Sequence, residues 1–426
     1  MTEGKQAPAS ERQRQAGVCG RARECLEARC SLFQVCETAS VRRVYRYRLY
    51  PTPTQERAMV GTLDLLRELY NAALQERRDA YRATGQSPSC YDQQKSIIEV
   101  REARPEYQDI HTHLLQDALT RLERAFKAFF RRCKDGEEPG YPRFKGPGRY
   151  NTFTFKDAAN HNGAKLCAGE KRLQLSGIGK VKIKMHRPYK GHIKQISVTL
   201  DGDGHWYACL YCDGVPTKPL DSTGRQIGID LGIKTFAALS DLGVVDNPRP
   251  LESVQHEVTR AQRRVSRRKR GSNRRRKAVK ILARRHARVR NVRRDFHHKT
   301  AYRLVHDYDR IGIEHLNVKG LARGMLAKQV HDAAWAEFTT ILAAKAECAG
   351  RELVKVDPRG TSQECSECHA EVRKTLAVRI HDCPHCGFRT DRDHNASCNV
   401  EYRLGRSRRG DTDRRVDDPR SPLLGR

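Results

Sequence analysis

Between Cys365 and Asn395 the chain carries two Cys-x-x-Cys pairs, Cys365/Cys368 and Cys383/Cys386, separated by fourteen residues and followed by Thr390-Asp-Arg-Asp-His-Asn395. Paired thiolates at that separation are the ligand set of a tetrahedral zinc ribbon, in which each pair forms a tight knuckle and the loop between them brings the knuckles to one cation. Four thiolates leave no open coordination position, so the expected zinc is structural. Next to it stand two carboxylates, Asp391 and Asp393, and a metal-stapled insert beside an acidic motif reads as a scaffold presenting acids to a second, catalytic metal. Disulfides are the competing reading of the cysteines. They need an oxidising compartment, which a basic chain without the apolar core of an export signal does not suggest. Cys209 and Cys212 repeat the spacing without a partner pair and lie in the strand-like run Trp206-Tyr-Ala-Cys-Leu-Tyr, so they read as a half-buried strand edge. Cys19, Cys25, Cys30 and Cys36 follow no ligand spacing.

Three carboxylates stand where a core should refuse them. Asp230 interrupts the apolar run Ile227-Gly-Ile-Asp-Leu-Gly232, Glu314 ends Arg310-Ile-Gly-Ile-Glu314, and Asp393 opens a helical pattern after the ribbon. An unpaired buried carboxylate costs several kcal/mol, so such acids are normally paired or bind cations. One of them alone would read as a satisfied structural residue; three, spread over one βαβ-rich segment, point to a divalent-metal site. Carboxylates holding two Mg²⁺ ions about 4 Å apart can activate water on one side of a phosphodiester and stabilise the leaving oxygen on the other. The expected chemistry is metal-assisted phosphodiester hydrolysis on an RNase H-like fold. Spacing alone does not choose between Asp391 and Asp393.

The charge agrees. The chain has 426 residues and a formal net charge of +31. From Arg260 to Lys299 there are nineteen Lys or Arg and one acid, Asp295. Such a stripe fits a polyanion, because phosphate contacts release condensed counterions. A membrane-surface helix would need a broad apolar face opposite the cations, and a merely solvated face usually mixes signs. No window approaches the roughly eighteen apolar residues of a membrane span, so a soluble protein of a reducing compartment is expected.

The elements that must position these residues are legible in outline. Val41–Tyr50 alternates as a strand. Thr52-Pro-Thr-Gln55 then gives a helix start with N-cap, Pro and the third-position Gln of a capping box. Met59, Leu63, Leu66, Tyr70 and Leu74 follow at helical spacing, and Leu115, Leu119, Leu122, Phe126 and Phe129 mark a second helix. In Gly140–Phe155 aromatics interleave with cations around Arg143, Phe144 and Lys145, a mixture suited to base stacking beside phosphate contact, although a loop leading into a strand looks similar. Short strands separated by glycine turns fill 173–214 and read as a small barrel. Asp241-Leu-Gly243 reads as a hairpin turn. The basic stripe breaks at Gly271-Ser-Asn273 into two helices that fold back on each other, the second with a seam of Leu282, Val289, Val292 and Phe296. A helix over 332–349 and the strand Glu352–Val356 lead to the ribbon.

The acidic motifs carry a family resemblance. Ile227-Gly-Ile-Asp-Leu-Gly-Ile-Lys, Ile311-Gly-Ile-Glu-His-Leu-Asn-Val-Lys-Gly and Asp391-Arg-Asp-His-Asn-Ala resemble the three RuvC motifs of the TnpB (OrfB-type) proteins of insertion sequences, relatives of the type V CRISPR nucleases. The likeness extends to Leu49-Tyr-Pro-Thr, Arg67-Glu-Leu-Tyr-Asn-Ala-Ala-Leu, Tyr141-Pro-Arg-Phe-Lys, the basic helices and Val356-Asp-Pro-Arg-Gly-Thr-Ser-Gln, over roughly 41–403 and in order throughout. It implies a multidomain α+β protein: a wedge β-barrel (41–52 and 141–218), a helical recognition lobe (53–140) and an RNase H-like (RuvC) nuclease domain (219–403) with a basic helix pair (255–309) and an inserted zinc ribbon (362–389). Residues 1–40 have no family counterpart and, like the tail 404–426, read as disordered. The resemblance further implies an RNA-guided DNA endonuclease, a monomeric ribonucleoprotein or a dimer, in which base pairing with guide RNA reads the target DNA and the protein reads backbone shape and a short flanking motif. Motif by motif, Asp230, Glu314 and Asp393 would hold the catalytic Mg²⁺ ions, two in number, and Cys365, Cys368, Cys383 and Cys386 one Zn²⁺. The sequence departs from the family pattern at His315, where Asp or Asn is common, and at Ser397-Cys398.

Two other readings share the fold: a non-cutting RNA- or DNA-binding regulator or transposition accessory, and a protein that itself performs DNA strand transfer. Three retained acids argue against the first. Sequence does not separate hydrolysis from transesterification. For the stripe, Arg263, Arg264, Arg267, Arg268, Arg274, Arg275, Arg284 and Arg285 are the expected phosphate contacts. Replacing several of them should weaken nucleic-acid binding for all sequences alike and flatten the slope of log affinity against log salt. An unchanged slope in a salt titration would refute that role.

Overall fold

The computed structural model describes residues 40–406 apart from Ala168, Glu170 and Leu376. The expected extension before residue 40 and almost all of the expected tail lie outside the described residues.

Strand β1 (Ser40–Tyr50) leads into helix α1 (Pro53–Thr84), whose start has the expected capping box: the Thr52 hydroxyl accepts from the Gln55 amide and the Gln55 side chain accepts from the Thr52 amide. α1 stops at Gly85, which takes the left-handed conformation (φ +71°). Short helices α2 (Cys90–Lys95) and α3 (Ile97–Ala103) precede α4 (Thr112–Lys134). Six strands follow: β2 (Thr152–Phe155), β3 (Ala164–Cys167), β4 (Arg172–Leu175), β5 (Gly179–Lys184), β6 (His192–Leu200) and β7 (Trp206–Pro216). With β1 they form one antiparallel sheet in the order β2-β6-β7-β1-β5-β4-β3. Where the sequence reading expected a barrel, this order has two ends, β2 and β3, and the described ladders do not join them. The sheet and the helices also share one hydrophobic core, in which Tyr47, Phe153, Phe155 and Leu210 pack with Met59, Leu66, Leu74, Leu115 and Leu122. No change of core therefore separates 53–140 from the strands. Cys209 and Cys212 lie on β7, a central strand and not the edge expected, and burial pushes both thiols up, Cys212 to about 11.

The second sheet is mixed. β8 (Gln226–Leu231), β9 (Thr235–Leu239) and β10 (Val244–Asp246) form a meander. After α5 (Pro250–Ser253), α6 (Gln255–Ser266) and α7 (Asn273–Asp307), β11 (Arg310–Glu314) pairs in parallel with β8. Helices α8 (Val318–Leu321), α9 (Ala327–Ala333) and α10 (Trp335–Ala349) then lead to β12 (Glu352–Val356), parallel to β11. The order is β10-β9-β8-β11-β12. The helix expected over 332–349 is broken at Ala334, which is left-handed (φ 49°). The hairpin β13 (Ile380–Asp382) and β14 (Arg389–Asp391) precedes the last described helix, α11 (Arg392–Arg406).

A period of two sorts the motif strands. Ile227, Ile229, Ile311 and Ile313 turn one way, into a core with Phe236, Leu304, Phe338 and Leu342. Gly228, Asp230, Gly312 and Glu314 therefore face the other way, towards α11. Gly228 and Gly312 are direct partners in the β8–β11 ladder. A Cβ on Gly228 would lie 2.1 Å from the Ser397 carbonyl oxygen and 2.5 Å from the Glu401 amide nitrogen, and one on Gly312 would lie 3.1 Å from the Val400 side chain. The basic helices pack as expected, but Val292 is exposed and does not join the seam; Ala287 and Val289 are the buried residues there. α7 is tied to the first sheet by Asp201, which accepts from Arg46 (2.9 Å) and Arg290 (2.8 Å).

Gly228→Ala forces a methyl against backbone atoms that no rotamer change can clear. It should cost at least about 2 kcal/mol, read as a lowered midpoint in urea unfolding, whereas Gly224→Ala at an open turn with φ +68° should move the midpoint less.

Candidate active site and metal centre

Each acid of the site sits where a strand or helix ends. Asp230 is the penultimate residue of β8, Glu314 the last of β11, and Asp393 lies in the first turn of α11. All three are half-buried. Burial pushes the Asp230 carboxyl up to about 8, the Glu314 and Asp393 carboxylates add to the rise with Asp391 contributing least, and Arg392 opposes it. Glu314 is also raised by burial, against the hydrogen bond it accepts from the Thr361 hydroxyl at 2.6 Å. The fold thus brings Glu314 and Asp393 within electrostatic reach of Asp230, while the three carboxylates are not drawn together within the 4.8 Å of the cysteine cluster. Asp391 plays a different part: it is exposed and its Oδ1 accepts from the Asp393 amide (2.8 Å), capping α11. The Asp393 carboxylate meets Arg392 at 3.1 Å and Arg379 at 3.9 Å. An all-oxygen donor set whose charge is opposed by burial and by neighbouring carboxylates suits a hard divalent cation such as Mg²⁺.

The four cysteines offer a closed site. Their sulfurs all lie within 4.8 Å of one another, with Cys365 to Cys386 at 3.7 Å and Cys368 to Cys383 at 3.5 Å. Zn–S bonds of about 2.3 Å imply tetrahedral S···S edges of about 3.8 Å, so the cluster fits one zinc ion with little adjustment. Among the described residues it is the one such His, Cys, Asp or Glu group of suitable size.

The sequence reading passed over several neighbours of the acids. A cavity of about 280 Å³ opens beside Asp393, lined among others by Lys234, Thr235, Arg379, Asp391 and His394. Lys234 ends the first motif and was given no role; Arg379 lies in the ribbon with no pattern to mark it. Thr361, 2% exposed, reads in sequence as an ordinary turn residue. His315, the departure next to Glu314, is exposed and its amide donates to the Val356 carbonyl (2.8 Å). Ser397 is wholly buried, and its carbonyl is the nearest neighbour of Gly228.

The basic candidates divide. Arg263, Arg264, Arg267 and Arg268 line, with Arg260, a cleft of about 600 Å³ on α6. Arg274 and Arg284 are exposed and Arg275 is half-buried. Arg285 is engaged within the protein, 2.6 Å from Glu257 across the helix pair. Arg143 is exposed, but its neighbours are partly spoken for. Phe144 lies under the Arg78 guanidinium (5.3 Å), and the Lys145 backbone is clamped by the Asn71 side chain at 2.8 and 2.9 Å. Two motifs of the family pattern, around Asn71 and around Phe144, therefore touch.

Comparison with known proteins bears on this arrangement. Residues 203–325 match the OrfB_IS605 family, "Probable transposase", and 335–400 match the "Cas12f1-like, TNB domain". A protein of Streptomyces pristinaespiralis named "Putative RNA-guided DNA endonuclease" is 32% identical over 370 residues, covering 84% of this chain and 89% of its own. The chain belongs to the TnpB (OrfB-type) family. The Escherichia coli K12 member "Putative RNA-guided DNA endonuclease InsQ" is 27% identical, over 84% of this chain and 90% of its own. Among solved structures, the protein of a Cas12f1–sgRNA–target DNA complex shares the fold, with a TM-score of 0.54 at 12% identity, over 85% of this chain and 99% of that one. Residues 40–86 match a family described as a helix-turn-helix domain, yet in this TnpB-family chain they form strand β1 and the single helix α1. No described helix is long and apolar enough to cross a membrane.

The raised Asp230 carboxyl gives a pH test. In the folded, metal-free protein it keeps its proton to about pH 8, against 3.8 for an ordinary aspartate. The stabilisation this proton represents is full below the unfolded value and is lost as pH rises through the folded one. In EDTA the thermal midpoint should fall as pH rises from about 4 to about 8 and level off above it; Mg²⁺ should remove most of that fall, and Asp230→Asn should reduce it to the part that Glu314 contributes. An equal slope in Asp230→Asn would show that other groups set it.

Proposed function

We propose that this chain is an RNA-guided, Mg²⁺-dependent DNA endonuclease that hydrolyses phosphodiesters at Asp230, Glu314 and Asp393. The observation that carries the reading is the convergence of these acids, from two adjacent parallel strands and the helix laid across them, in a family whose relatives at near-full length are named RNA-guided DNA endonucleases. Magnesium ions held there would supply water activation and leaving-group stabilisation. The residues of the chain have separate tasks. β8 and β11 hold Asp230 and Glu314 side by side at the end of the sheet, and Thr361 fixes the Glu314 carboxylate. Lys234 and Arg379, lining the cavity beside Asp393, are placed to contact phosphates of the strand being cut. The four cysteines would hold a structural Zn²⁺, and the arginine cleft on α6 would track the backbone of guide RNA or target DNA.

The test is cleavage of a plasmid library by protein co-purified with its native flanking transcript, wild type against Asp230→Ala, in Mg²⁺ and in EDTA. Guide-dependent double-strand breaks should vanish in the variant and in EDTA, with a loss of at least about 10³-fold. Retained RNA and target binding without cutting by the wild type would replace this reading with that of a silent regulator. Joined strands among the products would replace hydrolysis with strand transfer.

A further inference from the structure

Two buried asparagines tie the thiolate cluster to the acids. Asn395 follows Asp393 by two residues on α11 and is fully buried. Its Oδ1 accepts from the Ser366 amide, inside the Cys365–Cys368 knuckle, at 3.0 Å, and its Nδ2 donates to the Glu364 carbonyl at 2.8 Å. One turn on, Asn399 donates from Nδ2 to the carbonyls of Thr361 (2.9 Å) and Glu364 (2.7 Å). The Thr361 hydroxyl, in turn, has the Glu314 carboxylate at 2.6 Å as its nearer acceptor and the Pro358 carbonyl at 2.9 Å as the other. Residues 361–366 are thus bracketed between a carboxylate at the end of β11 and the helix that carries Asp393. Arg403 closes the bracket from further along α11, 2.9 Å from the Glu364 carboxylate.

We propose that this bracket makes the two metal sites one thermodynamic unit: zinc bound by the four cysteines fixes the separation of Glu314 and Asp393, with Asn395, Asn399 and Thr361 as the positioning residues. The inference rests on the reading of the acids as a divalent-metal site. Buried asparagines often do no more than satisfy loop carbonyls. These differ because each partner lies on a segment that ends at a metal-ligand candidate, thiolate on one side and carboxylate on the other. Without zinc the knuckle has no covalent staple, so the Ser366 amide and the Glu364 carbonyl lose their fixed places. The asparagine amides, wholly buried, cannot exchange those partners for water without the first turn of α11 opening. Asp393 lies in that turn. Linkage then requires reciprocity: zinc should tighten divalent-metal binding at the acids, and the divalent metal should tighten zinc binding by the same factor.

The test uses the full-length ribonucleoprotein and Mn²⁺, followed by its paramagnetic resonance signal, with Asp230→Ala titrated in parallel to account for Mn²⁺ on RNA. Cobalt substituted for zinc reports the four-thiolate site through its visible absorption. Asn395→Ala and Thr361→Val should each weaken Mn²⁺ binding by about tenfold or more while the cobalt spectrum keeps its tetrahedral form, and stripping zinc should weaken Mn²⁺ binding at least as much. Cleavage by Thr361→Val should recover at high Mg²⁺. If the wild type binds Mn²⁺ more tightly than Asp230→Ala but Thr361→Val and the zinc-stripped protein bind it as the wild type does, the coupling is overturned and the nuclease site stands. If wild type and Asp230→Ala bind Mn²⁺ alike, the metal-site reading itself fails. Should Asn395→Ala lose the cobalt spectrum, Thr361→Val, which touches no knuckle residue, decides the matter.

Discussion

Everything that makes this site depends on a helix lying on a sheet with nothing between the two backbones. Helices usually ride on sheets over a layer of side chains. Here α11 comes down on Gly228 and Gly312, paired across β8 and β11, so closely that a methyl on Gly228 would sit 2.1 Å from the Ser397 carbonyl. That contact fixes α11 in height and along the strands. Because side chains alternate, the residue two beyond each glycine emerges on the same face one step closer to the strand end. Those residues are Asp230 and Glu314, and Asp393 is on the helix bedded there. The glycine and the acid in Ile-Gly-Ile-Asp and Ile-Gly-Ile-Glu are parts of one requirement: the first admits the helix that the second must meet.

This requirement also explains the composition of α11. A helix pressed against glycines must present small or polar residues that do not widen the gap, and Ala396 and Ser397 are fully buried there. Its apolar grip comes later, from Val400 and Leu404, both wholly buried. Asn395 and Asn399 face sideways into the loop before the ribbon. One helix therefore serves three contacts, the sheet, the ribbon and the acids, and nearly every position in its first two turns is constrained by one of them. Ser397-Cys398, the departure from the family pattern, is compatible with this: the serine is small, and the cysteine thiol lies 3.8 Å from the Ser240 carbonyl at the end of β9.

The sequence was most legible where the interactions are local or dictated by bonding geometry. The capping box at Thr52, the cysteine cluster and the period-two burial of the isoleucines follow from rules that span a few residues. It was least legible where tertiary partners decide. Cys209 looks like an edge residue from its own strand, but what makes that strand central is β1, whose Arg46, far earlier in the chain, opposes Cys209. Val292 fits a helical seam by spacing and is exposed in the fold. Thr361 and Asn395 stand inside motifs of the family pattern, but their roles were not legible there, since a hydroxyl in a turn and an amide on a helix acquire meaning only from what folds against them.

Charge shows the same division, and it changes how the basic stripe should be understood. A count of cations treats Arg285, Arg290 and Arg294 as equivalent to Arg263 and Arg267. In the fold the first three are struts, to Glu257, Asp201 and Glu337, and the others line an open cleft. Exposed ion pairs contribute little stability each, yet these three join α7 to α6, to the first sheet and to α10. The struts therefore hold α7 in three directions, while the arginines of the open cleft are carried on and just beyond its neighbour α6. The internal pairs thus take part of the stripe's charge into the structure itself. The size of the net charge was plain from the sequence; its division between struts and an open cleft required the fold.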